Sequence, residues 1–181
     1  MRYKSRSSSL PALKEQLIYT FSRGGLPVAC IYPNSYYLGM SNLGFHTVCR
    51  MIGESYGLTL ERYFIESIKG NKVESVEHRY DLGRVKIILI TVNYEEDCLN
   101  ILKMLSRAGI ELKSERRRGI FILAGGMFAT INPEVLSGIA DAVYLGYLTK
   151  EDKRSIVEIL KNQRLGKHAI LEKLKKLSHI Y

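Results

Sequence analysis

Apolar residues recur along the chain in short runs separated by polar turns, not in one long period. The first run, Val28–Tyr32, ends at Pro33-Asn34 and reads as a buried strand followed by a turn. Ser41-Asn42 then precede a helical spacing that places Leu43, Phe45, Val48, Met51 and Ile52 on one side, and either polar residue suits an N-cap. Leu60–Ile65 predicts a second strand, and the polar stretch 66–84 an irregular loop or hairpin. Val85–Val92 is β-branched and continuous, the pattern of a strand covered on both faces. Tyr94–Ala108 predicts a helix with Leu99, Leu102 and Leu105 inward and Gly109 past its end. Gly119–Ala124 predicts a fourth strand closed by Gly125-Gly126. Pro133–Ile139 predicts a short helix with Pro in its first turn after Asn132, and Ala142–Leu145 a fifth strand closed by Gly146. Two helices, about 150–161 and 166–178, complete the pattern.

Strand and helix alternate five times. That rhythm predicts an α/β fold: a flavodoxin-like (Rossmann-like) five-stranded parallel sheet of order 2-1-3-4-5, with helices on both faces and Val85–Val92 at the centre. In such sheets ligands bind beyond the carboxyl ends of the strands. The rule selects four loops: Pro33–Ser41, Thr91–Glu95, Gly125–Thr130 and Gly146–Thr149.

The first loop holds Asn34, the adjacent pair Tyr36 and Tyr37, Gly39, Met40, and then Ser41 and Asn42 at a helix start. A helix N-terminus aimed into the crevice suits a phosphate or amide group. Thr91, Asn93 and Tyr94 end the central strand. Gly125, Gly126 and Met127 let backbone approach a flat ligand closely, and Gly146 follows the last strand. These fourteen positions are the candidate cofactor-binding set. Other features carry less. His46 and Cys49, spaced i,i+3, lack a third metal ligand nearby; the acidic triplet Glu95–Asp97 suits a helix start; Arg116–Arg118 reads as a solvated loop. His78, His168 and His179 lie in polar surroundings. No nucleophile–base or acid–base set is visible, so no catalytic residue is assigned.

Composition changes the picture in two places. The 181 residues are 46% hydrophobic and 25% charged, as in a soluble globular protein, and the three cysteines lie far apart without a CxxC. That spacing argues against a zinc ribbon or an iron–sulfur cluster, and the odd count suits a reducing, cytoplasmic setting. No run reaches membrane-spanning length, and Met1–Pro11 lacks the apolar core of a secretory signal. The net charge of +9 is unevenly placed: +4 over residues 1–25, zero over 26–149 and +5 over 150–181. The chain therefore divides into a basic N-terminal arm (1–25), a neutral α/β domain (26–149) and basic C-terminal helices (150–181). A neutral centre suits a small-molecule domain better than a nucleic-acid domain, whose basic stripe would run along the working face.

The stretch Tyr32-Pro-Asn-Ser-Tyr-Tyr-Leu-Gly-Met-Ser-Asn-Leu-Gly-Phe45 resembles the opening of the cobalamin (B12)-binding-like N-terminal domain of radical S-adenosylmethionine (radical SAM) proteins. Thr91–Glu95, Arg107–Ile110, Ala124–Gly126, Asn132–Glu134 and Asp141–Val143 follow in the same order, so the resemblance spans about 26–160. It implies a corrinoid held over the carboxyl edge of the sheet. Where some cobalamin domains carry Asp-x-His-x-x-Gly, this chain has Asn34-x-Tyr36-x-x-Gly39, which implies binding without histidine ligation, with Tyr36 beneath the ring. Gly146-Tyr147-Leu148-Thr149 stands where radical-enzyme relatives carry Gly-Glu-Gly-Glu. No Cys-x-x-x-Cys-x-x-Cys occurs, so cluster chemistry is expected from a radical SAM catalytic domain or chain, and this one as its cofactor or accessory module. The amphipathic segment with Ile170, Leu171, Leu174 and Leu177 is a candidate docking element or a helix packed on its own sheet. The alternative reading is a basic α/β domain that binds nucleic acid or nucleotide as an accessory in RNA modification, since both ends are basic.

Overall fold

The computed structural model describes residues 24–162 and 166–181; most of the expected basic arm, 1–23, lies outside them. Five parallel strands form the sheet: β1 (Leu26–Ile31), β2 (Leu58–Tyr63), β5 (Ile87–Thr91), β6 (Phe121–Gly125) and β7 (Ala142–Val143). Their order is β2-β1-β5-β6-β7, the expected 2-1-3-4-5, with β5 between β1 and β6. A small antiparallel hairpin, β3 (Ile68–Lys69) with β4 (Lys72–Val73), lies in the 66–84 stretch.

Alternation along each strand divides the core. Val28, Cys30, Leu58, Leu60, Leu89 and Leu123 face α2 (Leu43–Gly53), α5 (Lys150–Lys161) and α6 (Lys167–Leu174). Ala29, Ile31, Ile88, Ile90 and Ile122 face α3 (Asp97–Arg107). The hydrophobic effect at ~25 cal/mol per Å2 makes these two layers the main source of stability. Ile170 and Leu174 are buried and Leu171 and Leu177 pack beside them, so the last helix seals its own sheet. Beyond it the chain pairs antiparallel with β7: Val143 and Tyr181 exchange backbone hydrogen bonds, and Leu145 N donates to His179 O.

Four local expectations change. A one-turn helix α1 (Tyr36–Met40), N-capped by Ser35, occupies the first loop, and α4 (Met127–Ile131) follows Gly126. The helix expected over 133–139 is a 3-10 turn at Pro133–Leu136. Helix α3 begins at Asp97 and buries Cys98, Ile101, Met104 and Leu105, leaving Leu99 71% exposed, because the buried Asp97 sets its rotation. Arg117 is not solvated: its guanidinium is buried, donating to Asp141 Oδ1 and to the carbonyls of Glu111, Leu112 and Ile139.

Candidate functional site

Each parallel strand delivers its following loop to the same edge, and between them lies a cleft of about 640 Å3. Leu89, Leu123 and Tyr144 floor it on the sheet. Thr47, Val48 and Met51 of α2 form one wall, and Lys153 and Ile156 of α5 another. Its volume falls within the range of small-molecule and cofactor sites. Of the fourteen expected positions, Asn42, Thr91, Asn93, Tyr94, Gly125, Gly126, Met127 and Gly146 line it. Asn42 accepts from Phe45 N and so caps α2 at the mouth.

The other six sit in the first loop, beside the cleft and not in its lining. Tyr36 turns its ring inward, edge-on to Phe64 at 5.0 Å, and its N–H donates to Glu66. Gly39 is buried where a Cβ would lie 2.5 Å from the Phe64 ring, so α1 packs tightly only with glycine there. Met40 Sδ accepts from Arg62. Ser41 donates to Tyr37 O, and Tyr37 is 78% exposed. Asn34 donates from Nδ2 to Asp97 Oδ1 at 3.1 Å.

Asp97 is the residue that sequence reasoning passed over. It is fully buried, and its Oδ2 accepts from Asn93 N (2.9 Å) and Tyr94 N (3.0 Å) while Oδ1 holds Asn34. One carboxyl group thus ties the loop after β1 to the loop after β5. Asn93 continues the chain of contacts: its Oδ1 accepts from Met127 N (3.1 Å), linking the loop after β6, and its buried Nδ2 lies toward the Tyr32 phenol. Burial pushes the nearby Tyr32 phenol up, with the Asn93 amide pulling it the other way.

Gly126 has φ +113°, and a Cβ there would lie 2.5 Å from Val92 O. Its glycine is required by the junction with the end of β5, not by empty ligand space. Gly125 differs: a Cβ would meet only Tyr144, at 3.4 Å or more. On the far wall Tyr144 Oη donates to Asp152 Oδ2 (2.7 Å), which His179 Nδ1 also approaches at 3.1 Å. Burial, seconded by Asp152, pushes the Tyr144 phenol up to about 12, and the Tyr144 hydroxyl is the main cause holding Asp152 below the ordinary carboxylate value.

The mouth is rimmed by side chains left bare: Tyr94 54% exposed, Met127 56% and Tyr147 88%. No histidine lines the cleft among the described residues. His46 Nε2 donates to Met40 O, and His78 Nδ1 binds Glu61 on β2. No group of three metal-ligating side chains occurs among the described residues, and none of their helices is long and apolar enough to cross a membrane.

Comparison with known protein families matches residues 44–181 to radical SAM proteins, N-terminal. The chain belongs to the family of radical SAM protein N-terminal domains. The match runs from the first turn of α2 through the tail on β7, so both walls of the cleft fall within it, whereas β1 and the first loop precede it. As a radical SAM N-terminal domain, the fold is associated with a radical SAM catalytic domain. No curated protein and no solved structure matched the chain.

Proposed function

We propose that this radical SAM N-terminal domain is a ligand-binding accessory module of a radical SAM catalytic domain, and that its cleft takes a corrinoid without a protein histidine on cobalt. One observation carries the reading: an apolar cleft at the carboxyl edge of a parallel sheet, rimmed by Tyr94, Met127 and Tyr147. Bare aromatic and thioether groups beside a cavity favour a large flat ligand that covers them. The donor set also fits: Asn93 lies at the cleft and Lys153 offers a cation on the α5 wall.

A bound corrinoid would supply its cobalt centre. The chain's own residues would bind and orient it. Tyr94 and Tyr147 would cover its faces, Gly125 would admit it close to the backbone of β6, and the Asp97 tie would hold two of the loops in place. The test is incubation with hydroxocobalamin followed by gel filtration and an ultraviolet–visible spectrum. The domain should carry the corrinoid through the column, and Gly125→Val, which adds side-chain bulk inside the lining without backbone strain, should release it. Loss of the corrinoid from the unaltered chain would sink the reading.

A further inference from the structure

The zero net charge of residues 26–149 conceals a polarity across the sheet. At the carboxyl edge lie Glu66, Glu95, Glu96, Asp97 and Glu134, each just after a strand or at the start of the following helix. At the opposite, amino edge lie the exposed bases Lys72, Arg84, Lys86, Arg107, Arg116 and Arg118. Contacts between their segments bring most of them together. Arg107 Nη1 donates to Asn71 Oδ1 beside Lys72. Gly83, next to Arg84, packs so closely on the end of α3 that a Cβ would lie 2.6 Å from Ala108 O. Phe121 N donates to Lys86 O, which brings the approach to β6, with Arg118, against the start of β5.

Most of the acids at this edge are engaged: Glu54 pairs with Arg50 and Glu74 with Lys69. Asp81 caps its own turn at Gly83 N, Glu111 accepts from Lys113 N, and Asp141 is buried under Arg117 and Lys167; Glu115 alone is exposed without a partner in this segment. None of the six bases has an ion-pair partner among the described residues. An open polar depression of about 530 Å3, lined by Asn71, Ser106, Arg107, Ala108 and Gly109, lies at one end of the row.

We infer that the amino edge is a nucleic-acid-binding surface, separate from the cleft and facing the other way. A row of unpaired cations over parallel strands ~4.8 Å apart suits the repeating phosphates of an RNA or DNA strand. A membrane surface is disfavoured by the absence of bare apolar groups along the row: the large exposed apolar side chains gather mainly at the carboxyl edge, and Tyr56 is the exception near β2.

The test is fluorescence anisotropy of a labelled 20-nucleotide RNA with the full chain, titrated from 50 to 200 mM salt. Four phosphate contacts predict a slope of log K against log salt of about −3, a loss of about 50-fold over that range. The double variant Arg84→Gln/Arg107→Gln should bring the slope to about −1.4. Glu95→Gln, at the acidic edge, should leave it unchanged, and circular dichroism melting should show all three chains folded. The inference is overturned if the double variant binds with the original slope, if binding is insensitive to salt, or if anionic phosphatidylserine vesicles compete as well as unlabelled RNA. None of these outcomes depends on whether the cleft holds a corrinoid.

Discussion

Replacing Asp97 by alanine isolates the contact that joins the loops at the cleft mouth. The substitution removes three hydrogen bonds, from Asn34 Nδ2 (3.1 Å), Asn93 N (2.9 Å) and Tyr94 N (3.0 Å), from a side chain with no exposure. At ~1 kcal/mol for each bond, and with water able to reach part of the vacated space, the loss is about 3 kcal/mol. For a domain of this size that lowers Tm by about 6–12 °C. The assay is urea unfolding followed by circular dichroism, with Glu95→Ala as the comparison. Glu95 is exposed in the same acidic triplet, and its removal should change stability by less than ~0.5 kcal/mol. Asn34→Ala combined with Asp97→Ala should be non-additive by ~1 kcal/mol, because the two side chains share one bond. A cost for Asp97→Ala no larger than that for Glu95→Ala would refute the argument that this carboxyl group ties the loops together.

Three further outcomes follow from separate observations. Gly126→Ala should destabilise the fold by at least ~2 kcal/mol in the same unfolding assay, since φ +113° is glycine territory and the added Cβ meets Val92 O at 2.5 Å. Asp152, held below its ordinary value chiefly by the Tyr144 hydroxyl, contributes stability that is present above the unfolded carboxylate value and lost as pH falls through its lower folded value; the stability gap between the original chain and Asp152→Asn should therefore close only below about pH 4. Electron paramagnetic resonance of the cob(II)alamin-loaded protein should lack nitrogen splitting from a protein histidine, and its appearance would contradict the proposed mode of binding.

The sheet was legible because β1, β5 and β6 are continuous apolar runs bounded by Pro, Gly and Asn, and the spacing between them leaves room only for crossovers. Helices α1 and α4 were not, because five residues are too few to display a 3.6-residue period. The rotation of α3 was misread because three leucines at i, i+3 and i+6 outweighed the smaller Cys98 and Ile101, while the acid that fixes the rotation looked like an ordinary helix-start charge. Eight of the candidate positions end or follow strands β5, β6 and β7 or cap α2, and the sheet brings these to one cleft. The residues of α1 were drawn away from its lining by Phe64, a contact 28 positions downstream of Tyr36 that no local pattern encodes. The charge polarity was hidden for a simpler reason. Bases precede the strands and acids follow them, so a sum along the chain cancels what the parallel arrangement separates.

Equilibrium dialysis of the chain against hydroxocobalamin decides whether the cleft binds a corrinoid. Uptake should saturate at one corrinoid per chain and be weakened at least tenfold by the joint variant Tyr94→Ala/Tyr147→Ala, whose exposed side chains contribute little to folding. Uptake that never saturates, or that the joint variant leaves unchanged, would contradict binding in the cleft.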